Sequence, residues 1–337
     1  MTRCPSWLLV TAFLAGGLGA AAQPFHLPTA NHAIFERGAE EQFFVGTVGK
    51  PWTTGTFGCV RTDGRQFHEG LDIRCLQRDA HGEPTDPVHA TTDGVVAYFN
   101  SKSALSNYGK YIVLRHRVEG LEIYSLYAHL SEIRPGLAPG QPVRTGEVIA
   151  RMGRTSNTRQ GISKDRAHVH FELNLLVNER FAAWFKSRHR GERNDHGEWN
   201  GHNLLGFDPA QVFHQEAALG EKFSLLNQLR AQTELCRVLV RKTDFPWLRR
   251  YPAFVMRNPR AEKEGVAGYE LALNFNGIAF QAIPRAASEI RGKDRFQLLS
   301  VNTVEAEAHG CRRLVIHRGS RWQLGKSGVE LLDLMTF

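Results

Sequence analysis

The feature that most constrains this chain is the rhythm of residues 43 to 175, where apolar stretches are short, β-branched or aromatic, and cut by Gly, Pro and Asn. YIVLRHRV (111–118) and LEIYSLYAHL (121–130) flank Glu119-Gly120 and read as a hairpin; VVAYF (95–99), EVIAR (147–151) and HVHFEL (168–173) read as further strands. Strands so short and numerous, with few helical stretches between them, predict a mainly β, mostly antiparallel sandwich or barrel. Chemistry on such a fold is carried by side chains that share a strand face or a strand end.

Two stretches offer that. HVH places His168 and His170 on alternate positions, so on a strand they share one face, about 6–7 Å apart. That pair fits a solvated surface as well as joint work on a metal or substrate. FHEGLDI (67–73) would hold His68 and Asp72 about 13 Å apart if straight, too far for one ion, but Gly70 between them permits a bend. A neutral imidazole and a carboxylate are ordinary zinc ligands, and one more His would complete a three-ligand site with a fourth position open to water. His129, in YAHL, stands at the end of another strand. His116 precedes a hairpin turn and reads as structural.

The rest of the chain is organised around this region. MTRCPSWLLVTAFLAGGLGAAAQPF opens with a positive residue, an apolar run and small residues. That order predicts a signal peptide over 1–22, with an N-terminal membrane anchor as the alternative. Nothing after it is apolar for long enough to cross a bilayer, so no stable membrane insertion is expected once the signal is removed. Residues 23–44 form an arm that could fold over a groove as an inhibitory segment. After processing, Cys59, Cys75, Cys236 and Cys311 remain in a compartment that permits disulfides; Cys59–Cys75 and Cys236–Cys311 are the expected pairs, one within each unit.

KSRHRGERNDHGEWNGHN, which contains His189, His196 and His202, reads as a solvated insertion rather than a metal site, because its spacing is irregular. GFDPAQVF (206–213) reads as a closing turn, EAALGEKFSLLNQLRAQTEL as helical, YELALNFNGIAFQAI and VIHRGSRWQL as strand pairs, and GVELLDLMTF as a short helix. These predict a β-rich domain over 45–215 and a smaller α+β domain over 216–337, the latter without a catalytic constellation and available to a protein partner. The net charge of +8 suits an anionic polymer, but no zinc finger, RNP-type motif or basic helix points to nucleic acid.

Taken in order, TGTFGCVR, HEGLDI, DPVHATTDGVVAY, NYGKYIVLRH, YAHLSEI, PGQPVRTGEVIARMG and HVHFEL resemble the lysostaphin-type (LytM-domain) zinc endopeptidases, from about Thr54 to Phe213. The resemblance implies a two-sheet antiparallel fold of the duplicated hybrid-motif type, one Zn2+ held by His68, Asp72 and His170, and catalytic histidines at His129 and His168. It implies an enzyme that cuts peptides of peptidoglycan cross-links through a metal-activated water, and the signal peptide expected over 1–22 places that enzyme outside the cytoplasm, periplasmic or extracellular. The family's Tyr shortly before the metal-binding His is missing from residues 61–67, which leaves the oxyanion donor open between Tyr108 and a catalytic His. Two alternatives stand beside this reading: a non-catalytic module of the same fold that activates another wall hydrolase, and a zinc peptidase acting on protein or free peptide.

Overall fold

The computed structural model describes residues 25–337, so the signal peptide expected over 1–22 lies outside the described residues. The chain is mainly β. Its first half contains β1 (Gly58–Arg61), β2 (Gln66–His68), β3 (Leu71–Arg74), β4 (Pro87–His89), β5 (Gly94–Asn100), β6 (Tyr111–Val118), β7 (Leu121–Ala128), β8 (Glu132–Ile133), β9 (Pro142–Val143), β10 (Val148–Arg151), β11 (His168–Leu176) and β12 (Leu204–Phe207). The larger sheet runs β12-β11-β7-β6-β5-β9, with β3 paired to β11 beside β12; β4-β10-β8 form the second sheet, and β1-β2 a separate hairpin. Every pairing among these strands is antiparallel.

The β6–β7 hairpin forms where the sequence predicts it, closing on Val118 opposite Leu121. Glu119 and Gly120 both have positive φ, 50° and 81°, the backbone of the two-residue turn that matches strand twist. Alternate residues of these strands feed two cores. Ile112, Leu114, Ile123 and Tyr127 point into the main core, whereas Tyr111, Val113, Tyr124 and Leu126 build a second cluster on the other face. A sheet apolar on both faces needs a cover on each.

The cover on the second face is the segment read as a solvated insertion. Its first residues, 186–188, end a helix, Phe181–Arg188, and the short turns that follow lay Trp199 against Tyr124 (ring centroids 5.4 Å) and His196 against Tyr111 (5.4 Å). His196 is buried with its Nδ1 3.0 Å from Tyr98 Oη, and His189 stacks on Phe185. The expected closing turn is also different: Asp208 caps the backbone N–H of Ala210, Pro209 takes the first helical position, and a helix runs Pro209–Leu219. These are two of the strongest helix-start signals. Glycine at 220 then splits the expected helical stretch, and a second helix spans Leu225–Arg230.

The second half holds β13 (Cys236–Val240), β14 (Gly268–Leu273), β15 (Ala279–Arg285) and β16 (Phe296–Val301) in a sheet ordered β15-β14-β13-β16, the hairpin of β17 (Val315–Arg318) and β18 (Arg321–Leu324), and a C-terminal helix, Lys326–Met335. One buried apolar cluster runs through both halves. Tyr251 Oη accepts from Leu176 N at 2.8 Å, and Trp184 Nε1 donates to Asp333 Oδ2 at 2.9 Å. No described helix is long and apolar enough to cross a membrane.

Two expectations are corrected. The disulfide joins Cys59 to Cys311, with Cα atoms 5.6 Å apart, while Cys75 and Cys236 are free and buried. Cys75 follows β3 into the main core and Cys236 opens an interior strand, so neither reaches the proposed partner; Cys59 lies on the β1-β2 hairpin, where the turn at Gly310–Arg312 meets it. The arm, from Phe25 on, does not lie over the histidines. Phe25, Leu27, Ile34, Phe43 and Phe44 are core residues, and Phe44 bridges to Ile73 on β3.

Candidate metal centre

The strand register explains why residues distant in sequence meet here. His170 on β11 lies directly opposite Asp72 on β3, and on its other side opposite Ala128 of β7, the residue before His129. Directly opposed residues of an antiparallel pair have Cβ atoms about 5 Å apart, so His170 and Asp72 must share a space. His68 ends β2, and the chain bends at Gly70 to bring it to the same point. That bend needs no left-handed backbone. What demands glycine is proximity, because a Cβ there would sit 2.1 Å from Phe171 O.

The three inner atoms form a small triangle: His68 Nε2 to Asp72 Oδ1 3.1 Å, His68 Nε2 to His170 Nδ1 3.0 Å, and His170 Nδ1 to Asp72 Oδ1 3.0 Å. The outer atoms fix the tautomers. His68 Nδ1 faces Thr56 O at 2.7 Å, which accepts only, so that nitrogen carries the proton and Nε2 turns a lone pair inward. His170 Nε2 donates to Glu172 Oε1 at 2.8 Å, which leaves Nδ1 as an inward lone pair. With both imidazoles neutral, two lone pairs and a carboxylate oxygen therefore converge with no donor between them. The residues are 0% to 4% exposed, so water cannot relieve the repulsion cheaply.

The site asks for positive charge. Burial acts to lower the pKa of His170, but Asp72 and Glu172 outweigh it and raise the value to about 9, so in the absence of an ion a proton is held there. Burial would raise the Asp72 pKa, yet His68, His168 and Arg61 hold it well below the usual carboxylate range. A tetrahedral zinc with bonds near 2.0–2.1 Å separates its ligands by about 3.3 Å, close to the triangle found, and two imidazoles with one carboxylate make an ordinary zinc donor set. The residues present fit a zinc ion.

Two more histidines flank the triangle. His129 follows β7 with φ +63°, an uncommon left-handed conformation for a residue with a side chain. Its amide donates to Tyr108 O at 2.8 Å and its Nδ1 to Thr155 O at 2.8 Å. His168 Nδ1 donates to Arg166 O at 2.6 Å, and its Nε2 is 3.5 Å from Asp72 Oδ1. The two rings are 4.9 Å apart at an angle of 72°. Burial, then the neighbouring imidazoles, push His129 well below the ordinary histidine value; burial also lowers His168. Both present an unprotonated Nε2 near neutral pH.

Three supporting residues escape a reading confined to the histidine motifs. Glu172 sits on the same β11 face as His168 and His170, one alternation further. It accepts from His170 and from Tyr108 Oη at 2.7 Å through Oε1, and from Asn174 Nδ2 at 2.8 Å through Oε2. Asn174 is the next residue in the same alternation. Arg61 donates from Nη2 to Asp72 Oδ2 at 2.6 Å and so turns Oδ1 toward the triangle. Tyr108, one of the two open choices for an oxyanion donor, has its hydroxyl committed to Glu172. His116 lies elsewhere, with Nδ1 2.9 Å from Asp93 O and Nε2 2.7 Å from Ser125 Oγ. Among the described residues, His68, Asp72 and His170 are the group whose ligand atoms converge closely enough to hold a metal.

Residues 66–181 match the model of peptidase family M23. No curated protein matches the chain. Among solved structures, the chain is similar to the catalytic domain of the prophage-encoded M23 protein EnpA from Enterococcus faecalis, at 26% identity over 32% of this chain and 68% of that one, with a TM-score of 0.24. It is similar to a candidate glycyl-glycine endopeptidase lytM of Ruminococcus gnavus at 30% identity, 32% and 39% coverage and TM-score 0.25. The catalytic domain of the antimicrobial peptidase lysostaphin from Staphylococcus simulans matches at 22% identity, 35% and 74% coverage and TM-score 0.25. The chain thus spans well under half the length of the Ruminococcus protein. The segment matched by the family model contains all five polar positions of the site, His68, Asp72, His129, His168 and His170, so the residues that build the centre lie in the part of the chain that is similar to peptidase family M23.

Proposed function

We propose that this protein is an exported, zinc-dependent endopeptidase that hydrolyses peptide bonds in peptidoglycan cross-links. The observation that carries the reading is the convergence of three donor-free acceptors, from His68, Asp72 and His170, beside two further imidazoles whose Nδ1 protons are each given to a backbone carbonyl. His68, Asp72 and His170 would hold the ion. When bound, it supplies Lewis-acid activation of a water and of the scissile carbonyl.

The chain's own residues supply the rest. His129 and His168 are buried and neutral near pH 7, so the Nε2 of either is able to accept a proton from the attacking water. Once protonated, the same nitrogen donates, either to the oxygen that gains negative charge or to the departing amine. Glu172 fixes the His170 ring and strengthens its basicity, and Arg61 fixes Asp72. With Tyr108 bonded to Glu172, a catalytic imidazole is the better candidate for the oxyanion donor. The apolar N-terminal run over residues 7–15 and the Cys59–Cys311 disulfide support an oxidising, exported compartment.

The test is a digest of purified peptidoglycan by the mature protein, by its His129→Ala variant and by the chelated protein, with mass analysis of the fragments. New termini within the cross-link peptides are expected from the untreated protein alone. Identical fragments from all three samples would refute the reading.

A further inference from the structure

The β1-β2 hairpin, which ends on His68, is packed against the far end of the chain. Phe67, the residue before His68, packs with Phe57 (ring centroids 5.2 Å) and with Phe275 from the β14–β15 turn (6.0 Å); Phe275 lies 4.9 Å from His309. Asn276 donates from Nδ2 to Gly206 O at 2.6 Å. Beside this contact the Cys59–Cys311 disulfide fastens the turn Gly310–Arg312 to β1. Arg312 is thereby set over Phe67, its Cζ 5.1 Å from the ring centroid.

The surroundings of Arg312 are unusual for a partly buried arginine. Arg237, Arg250 and Arg285, also partly buried, are each paired with two carboxylates, Glu234 and Glu270, Glu122 and Glu179, and Glu270 and Glu289 respectively. Arg312 has no hydrogen bond and no ion pair among the described residues. The ionisable groups that act on it are Glu69, next to His68, and Tyr108, whose hydroxyl is bonded to Glu172 and whose ring is 5.6 Å from that of His170. A guanidinium carries five N–H donors in a fork that fits a carboxylate, and in half-buried Arg312 none of them has a partner among the described residues. A cation held at this place, stacked on the residue before a metal-ligand candidate and unpaired, is arranged to meet an anion brought by a ligand.

We propose that Arg312 is a specificity-determining residue of the peptidase site: its guanidinium binds a free carboxylate of the substrate peptide beside the bond presented to His129 and His168. The C-terminal half then supplies one wall of the groove, and the disulfide holds that wall in register. The proposal rests on the peptidase reading above for the identity of the ligand.

The test uses the zinc-loaded full chain and a matched pair of cross-link peptides, one with free carboxyl groups and one with those groups amidated. Binding is measured by calorimetry and cleavage by KM and kcat, for the wild type, Arg312→Ala and Arg312→Lys. Charge-assisted hydrogen bonds contribute about 1.5–3 kcal/mol, so Arg312→Ala should weaken binding of the free-carboxyl peptide and raise its KM on the order of tenfold or more. Its kcat should change little, the amidated peptide should bind Arg312→Ala and wild type alike, and Arg312→Lys should recover part of the loss. Equal loss for both peptides, no loss for either, or failure of the wild type to bind either one would overturn the proposal. Binding that follows this pattern without cleavage of either peptide would uphold the role of Arg312 and refute the peptidase reading instead.

Discussion

At the scale of single residues, the centre is a problem of protons and lone pairs. His170 is held by Glu172 on one side and turns Nδ1 to Asp72 and His68 on the other. Replacing Glu172 with Gln removes the acceptor charge that orients this ring, and zinc affinity should fall by about 10–100-fold in a chelator competition, with the fold intact. The metal must also displace a proton. Because the His170 pKa stands at about 9 without an ion, zinc affinity should rise about tenfold per pH unit up to that value and level off above it. The same group sets a stability trend in the chelated protein. Its folded pKa is above the unfolded value of about 6.5, so its contribution is full below 6.5 and is lost as pH rises through about 9; thermal unfolding across that range would show it. Much of the centre was legible at this scale. Alternation on a strand placed His168 and His170 together, and the family motifs named His68, Asp72 and His129. The same alternation contains Glu172, but a carboxylate after an aromatic residue gives no sign that it will be buried against an imidazole until the strand's neighbours are known.

At the scale of elements, β3 and β11 carry the geometry, and Gly70 lets them approach. A Cβ at that position would stand 2.1 Å from Phe171 O, backbone that cannot yield without moving His170. Gly70→Ala should therefore cost a few kcal/mol, lower Tm by several degrees and weaken zinc binding together, in calorimetric scans with and without metal. The hairpin at Glu119-Gly120 was readable because turn residues and two alternating runs agree locally. The helix at Pro209–Leu219 was misread as a turn although Asp208-Pro209 is a helix-start signal, since the apolar run behind it is brief. The cover of residues 195–201 over Tyr111 and Tyr124 was hidden by its charge; what pulls it down is the apolar second face of β6 and β7, a property of other strands.

At the scale of the molecule, the two halves are bound by a shared core, by buried hydrogen bonds and by one covalent bond. Cys59 and Cys311 are 252 residues apart in sequence, so cysteine spacing could not have paired them. Cross-linking so distant a pair restricts the unfolded chain strongly; Cys311→Ser should lose about 2–4 kcal/mol, read as a lower denaturant midpoint. Continuity of the core further predicts one cooperative unfolding transition for the zinc-loaded chain rather than two, with two resolved transitions contradicting it.

The central claim is that the triangle of His68, Asp72 and His170 is a catalytic single-zinc site, and restoration of activity by metal tests it most directly. The protein is stripped by chelator, returned to zinc-free buffer and titrated with zinc while cleavage of a cross-link peptide is followed. Activity that is absent in the stripped protein and saturates at one zinc per chain is the predicted result; cleavage that persists without zinc, or saturates only beyond one equivalent, would contradict it.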